Sequence, residues 1–204
     1  MTNILLLILC FIIGVLLHRY KRMPVNTPAV LNSFIIHVSL PALTLLYVHD
    51  LKISADVGLM AAMAWIYFAL SWGFFWLLGR WLDLPRRTVG ALILTGGLGN
   101  TSYVGLPLIE AYYGHQGLAS GIIVDQLGSF LVLSTLGITV AGIYSSGRPG
   151  IGEMARRIVL FPPFIALVIA LLLIPQDYPE WFTIVARRLG DTLAPLALLS
   201  VGFQ

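Results

Sequence analysis

The sequence has 204 residues, 58% of them hydrophobic and only 10% charged, with a mean hydropathy of +0.91. Soluble domains carry about 25% charged residues, so an ordinary soluble domain is excluded and an integral membrane protein is indicated. The net charge of +3 sits in short connections beside apolar runs, which is a topology signal rather than a nucleic-acid surface, and a single cysteine, Cys10, excludes a disulfide framework or a cysteine metal site within one chain.

Seven apolar segments approach the ~20 residues needed to cross ~30 Å of hydrocarbon. They cover roughly residues 3–19, 28–49, 55–79, 88–112, 117–142, 158–175 and 183–203. The first, "ILLLILCFIIGVLL", has no positive charge before it and "HRYKR" after it. A secretory signal has the opposite charge order, so this segment reads as an uncleaved anchor with its N-terminus outside the cytoplasm. The second holds Asn32, His37 and Pro41. Pro41 removes the helical donor of the His37 carbonyl and predicts a kink; His37 itself is expected to pack between helices. Trp65, Tyr67, Trp72, Trp76 and Trp81 crowd the third, some of them as interfacial belt residues.

The fourth segment contains "LTGGLGNTSYVGLPL". Gly96, Gly97 and Gly99 each cost a helix about 1 kcal/mol relative to alanine, and Pro107 cannot donate to the Tyr103 carbonyl. Between these breakers stand Asn100, Thr101 and Ser102. At 1.5 Å per residue, Asn100 lies about 18 Å from the start of the span, near the bilayer midplane. One glycine or one proline would be accounted for by close helix packing or a simple kink. The whole cluster reads as a broken helix, whose irregular backbone must be buried in protein or line a cavity. Its two half-helix ends favour an anion at the amino end and a cation at the carboxyl end. In the fifth segment Asp125 is the one acidic residue well inside a span, with Gln126 beside it and Ser129 one turn on. An ionisable group at such depth is costly and marks function by default. Two roles stay open for Asp125: carrying a coupling proton or cation, or accepting hydrogen bonds from freed backbone amides. In the seventh, Pro195 frees the carbonyl of Asp191, which can reach the outer interface and carries little functional weight.

The connections alternate in charge. Odd ones carry Arg19, Lys21 and Arg22, then Arg80, Arg86 and Arg87 against Asp83, then Arg148, Arg156 and Arg157 against Glu153; even ones carry Asp50, Lys52 and Asp56, then His115, then Asp177 and Glu180. The positive-inside rule places the odd connections in the cytoplasm, with Arg187 and Arg188 left at the outer interface or snorkelling. Five spans then invert the chain, which invites an inverted repeat. Setting Pro41 on Pro195, an offset of 154, lays "VSLPALTLLYV" against "TLAPLALLSVG". The organisation expected is a first five-helix repeat over residues 1–142, a cytoplasmic linker over 143–157, and the first two helices of a second, incomplete repeat over 158–204.

"GGLGNTSYVGLPLI", followed by "IIVDQLGS" and "LAPLALLSVG", resembles the auxin efflux carrier family of permeases along the whole chain, with Asn100 to Pro107 as its specific part. The resemblance implies an all-α membrane transporter of ten helices in two inverted repeats, similar in architecture to bile-acid sodium symporters, with a broken fourth helix in each repeat. About seven of those helices are expected here, so the chain reads as an incomplete portion of a larger transporter. By the same resemblance Asn100, Thr101, Ser102 and Gly105 line a site for small organic anions, with carboxylates as the expected class. Gly96, Gly97, Gly99 and Pro107 set the break, and Asp125 and Gln126 take a supporting or coupling position. Alternating access would move a transport bundle against a scaffold formed here by spans one, two, six and seven. The expected partners are a small organic anion and the lipid bilayer, with no metal or cofactor, no nucleic acid, no enzymatic activity, and coupling to a proton or sodium. A homodimer is compatible, although two parallel copies would not supply an inverted partner. The location implied is a bacterial inner membrane. The alternative is a truncated membrane fragment that binds a partner and transports nothing. An intramembrane hydrolase using Ser102 is disfavoured, because there is no nucleophile-elbow pattern.

Overall fold

A computed structural model describes residues 2–49, 55–144, 150–173 and 177–204. Asp50, Lys52 and Arg148 of the charge pattern lie outside the described residues, as does the side chain of Asp56. The described residues form helices and no strand. Four helical runs are long and apolar enough to cross a membrane: Thr27–Val48, Val57–Trp81, Arg86–Tyr113 and His115–Tyr144. These coincide with predicted spans two to five. Predicted span one is the shorter apolar helix α1 (Thr2–Arg19). Its side chains from Leu5 to Leu16 are mostly exposed, as an all-round apolar helix in lipid requires. Span six corresponds to α10 (Pro162–Leu172). Span seven is two helices, α11 (Glu180–Gly190) and α12 (Leu193–Phe203).

The second span is α2 (Thr27–Phe34), a π-helical segment Ile35–Ser39, and α3 (Leu40–His49). The Leu40 N–H reaches back to the Ile35 carbonyl, so the widened turn comes just before Pro41, whose missing donor a regular helix could not absorb. His37 does not pack between helices. It is exposed, and its Nδ1 donates to the Ser33 carbonyl at 2.8 Å, because the π turn places it on the outer face, where its own helix supplies the partner. The third span is the single helix α4 (Ala55–Trp81). The fourth is α5 (Arg86–Gly97), the π segment Thr101–Gly105, and α6 (Leu106–Tyr113). The fifth is α7 (His115–Ile123), π segments Val124–Phe130 and Leu133–Gly137, and α8 (Ile138–Tyr144). The predicted linker holds a short helix, α9 (Ile151–Val159), with an exposed Glu153–Arg157 ion pair at 2.6 Å. Prolines open several of these helices: Pro28 in α2, and Pro162 and Pro163 in α10. In the first turn their missing N–H costs nothing.

The chain divides into two units. The first comprises Met1–Lys52, Thr101–Ile122 and Pro162–Gln204. Within it α1 packs along α12, and α10 and α11 pack along α3. Leu7 and Ala194 line one cavity at one end of the α1–α12 pair, and the His18 and Phe203 rings meet at 5.0 Å at the other, so the two helices run parallel. Their close approach depends on Gly14 and Gly202, which face the Leu199 and Phe11 carbonyls of the opposite helix. Small residues let membrane helices come this near. Ser200 is fully buried and donates to Asn32 Oδ1 at 2.7 Å, tying α12 to α2. Ser200→Ala is expected to cost about 0.5–1.5 kcal/mol, measured as a lower midpoint of unfolding in detergent. The second unit comprises Ile53–Asn100 and Ile123–Phe161. Its core is Phe68, Val89, Ile93, Val132 and Val140, with Trp65, Trp72 and Phe75 packed around them.

Candidate functional site

Helix α5 ends at Gly97, and Leu98 is extended at φ −118° and ψ 121°. Helical geometry resumes at Thr101. The twelve residues of α5 span about 18 Å, so the opening lies near the middle of the Arg86–Tyr113 run. The glycines are placed by packing as well as by weak propensity. A Cβ on Gly96 would overlap the Phe75 ring, and one on Gly97 would stand 2.9 Å from Phe68 Cδ2. The terminal carbonyls of α5 lose their helical donors at such an end. Tyr67 supplies one, its hydroxyl donating to the Gly96 carbonyl at 2.8 Å. Gly99 and Asn100 are exposed, while Thr101, Ser102 and Gly105 are half-buried in the π segment. Pro107 is buried in the first turn of α6, on the far side of the opening.

Asp125 and Gln126 are brought together in the π segment Val124–Phe130 and are 2% and 0% exposed. Gln126 Nε2 donates to Asp125 Oδ2 at 3.1 Å, and Gln126 Oε1 has no hydrogen-bond partner among the described residues. Trp65 Nε1 donates to the Leu127 carbonyl at 3.0 Å, and a Cβ on Gly128 would stand 2.9 Å from Ala64 Cβ. Helix α4 therefore braces both irregular stretches, through Tyr67 at the opening and Trp65 at the π segment. Both residues drew notice in the sequence only as aromatics; nothing in their spacing signals which carbonyls they serve. The predicted site residues fall in both units: Gly96, Gly97, Gly99, Asn100, Asp125 and Gln126 in the second, and Thr101, Ser102, Gly105 and Pro107 in the first.

Among the described residues one group of metal-ligand type comes together, Glu110, His115 and Asp191, with ligand atoms within 4.8 Å of one another. Sequence reasoning passed over Glu110 and gave His115 and Asp191 no role, because the group forms only when the Glu110–His115 turn meets the distant Asp191.

A model of the membrane transport protein family matches residues 1–146. An uncharacterised transporter of Methanothermobacter thermautotrophicus is 25% identical over 98% of this chain and 66% of its own length. An uncharacterised transporter of Methanocaldococcus jannaschii is 24% identical over 100% of this chain and 68% of its own length. The chain thus spans about two thirds of the length of these relatives. No solved structure matches it. An apolar all-helical chain, opened at mid-span by the "GGLGNTSYVGLPL" stretch and matched by the family over most of its length, belongs to the membrane transport protein family, the family of the auxin efflux carriers.

Proposed function

We propose that this chain is part of a secondary active transporter that moves small organic anions, carboxylates foremost, by alternating access. The observation that carries the reading is the opening of the Arg86–Tyr113 span between Gly97 and Thr101. Such an opening presents the amino end of one half-helix, which favours negative charge, at bilayer mid-depth. Asn100, Thr101, Ser102 and Gly105 are the residues proposed to contact the anion, and Asp125 with Gln126 to carry or support the coupling ion.

The proposed topology puts the N-terminus outside and the odd connections in the cytoplasm. The parallel course of α1 and α12 supports it, since five intervening crossings leave span seven running the same way as span one. Tyr47, Glu110 and His115, all assigned to outer ends, also gather in one place, and so do His18 and Phe203, assigned to inner ends. An inverted repeat over residues 1–142 and 158–204 is supported by reciprocal packing: the first helix of each half lies on the second span of the other, α1 on α12 and α10 on α3. These helices would form the scaffold.

The test is uptake of labelled di- and monocarboxylates by proteoliposomes holding the full-length protein. Substrate-specific, saturable flux above that of empty vesicles is expected; its absence across carboxylates under both proton and sodium gradients would overturn the proposal. Asp125→Asn is expected to remove the pH or sodium dependence of that flux. Dependence retained at reduced protein yield would assign Asp125 to support instead.

A further inference from the structure

We propose that Glu110, His115 and Asp191 form a binding site for a first-row divalent cation of the zinc class. The turn that builds half of the site is local. Gly114 adopts φ +65°, a conformation only glycine takes without strain, and its N–H bonds the Glu110 carbonyl at 2.9 Å. The chain thereby folds back at the end of α6 and sets His115, the first residue of α7, beside the Glu110 side chain. His115 Nδ1 stands 3.4 Å from Glu110 Oε1. Two ligand atoms on one tetrahedral zinc, each at about 2.0–2.1 Å, are themselves about 3.3 Å apart. The pair is already at ligand spacing. Asp191, exposed at the junction of α11 and α12, brings the third donor within 4.8 Å of the other two.

The imidazole is held for this. The Tyr47 ring lies nearly parallel to it at 10°, with centroids 5.7 Å apart, and Tyr47 Oη is 2.8 Å from Nδ1. Tyr47 orients the ring by stacking, and its hydrogen bond to Nδ1 gives way when that nitrogen takes the metal. The three donors open onto a cavity of about 260 Å³ whose wall is completed by Pro107, Ala194 and Pro195. That volume holds several waters at about 30 Å³ each, enough to finish a coordination shell. The donor set selects the ion. Two carboxylates and one imidazole suit zinc or its first-row neighbours; magnesium and calcium prefer oxygen alone, and thiolate-seeking ions find no sulfur here.

A cation there would tie the α6–α7 turn to the α11–α12 junction. Both lie in the first unit, so bound zinc is expected to stiffen that unit, whether or not the transport reading holds. Binding and flux are measured separately, so the two readings fail separately. Thermal unfolding of the full-length protein in detergent is followed with Zn²⁺ alone and with Mg²⁺ alone. Zn²⁺ is expected to raise the midpoint in a saturable way, and Mg²⁺ to leave it nearly unchanged. Glu110→Gln combined with Asp191→Asn is expected to weaken the apparent zinc affinity by more than about tenfold, whereas Tyr47→Phe, which keeps the stacked ring and frees Nδ1, is expected to leave it unchanged or tighten it. Unchanged affinity in the double variant would overturn the proposal. X-ray absorption at the zinc edge of the unaltered protein needs no variant to fold. One imidazole with oxygen ligands is expected; a shell of several imidazoles, or no bound zinc, would sink the site. Zinc binding without flux would leave the site standing and count against transport alone.

Discussion

Gly202→Ala is expected to destabilise the protein by about 3 kcal/mol or more, measured as a lower midpoint of thermal unfolding and a lower yield in the membrane. In isolation the substitution should help, because alanine is better than glycine in a helix by about 1 kcal/mol. The contact reverses the sign. A Cβ on Gly202 would overlap the Phe11 carbonyl oxygen and stand 3.0 Å from the carbonyl carbon. On the partner helix, a Cβ on Gly14 would overlap the Leu199 carbonyl and stand 2.9 Å from the Phe203 nitrogen. These obstacles are backbone, so no rotamer change relieves them and α1 must move away from α12. Gly73→Ala in α4 is the matched control, since a Cβ added there would meet nothing within 4 Å. It is expected to be neutral or stabilising by up to about 1 kcal/mol. Equal stability of the two variants would show that α1 and α12 do not approach through these glycines.

The same pair shows which parts of the fold were legible in the sequence. Span positions were readable because bilayer thickness fixes the length of an apolar run, and the four long apolar runs fall where the hydropathy placed them. The opening was readable because weak helix formers and the Asn-Thr-Ser triplet act through neighbours in the chain. Where it opens depends on more. Gly96 and Gly97 lie under Phe75 and Phe68, a contact with another helix that local propensity does not encode. The π segment at Val124–Phe130 left no signal, since its hydrogen-bond register shifts by one residue without altering composition, and the one at Ile35–Ser39 was signalled only as a kink at Pro41. His37 shows the consequence: on the outer face of such a turn it bonds Ser33 rather than a neighbouring helix. The Glu110, His115 and Asp191 group was illegible for a topological reason, because it exists only once the α6–α7 turn meets the α11–α12 junction.

Asn100→Ala is expected to abolish flux in proteoliposomes while leaving the unfolding midpoint within about 0.5 kcal/mol of its original value. The two halves of that expectation have different causes. Asn100 is exposed between α5 and the π segment, so trimming it opens no cavity, and the loss of one contact at an exposed position is small. On the proposed reading Asn100 contacts the anion at the opening, where a contact away from bulk water counts for more than it would in water. Tyr67→Phe gives the contrast. It removes the donor to the Gly96 carbonyl and leaves an acceptor at mid-membrane without its partner, a loss of about 1–3 kcal/mol. That variant should lower stability, and flux only in proportion to the protein that remains folded. If Asn100→Ala transports as well as the unaltered protein, the anion does not bind at the opening. If it unfolds like Tyr67→Phe, Asn100 holds the break together and the anion is bound by other groups.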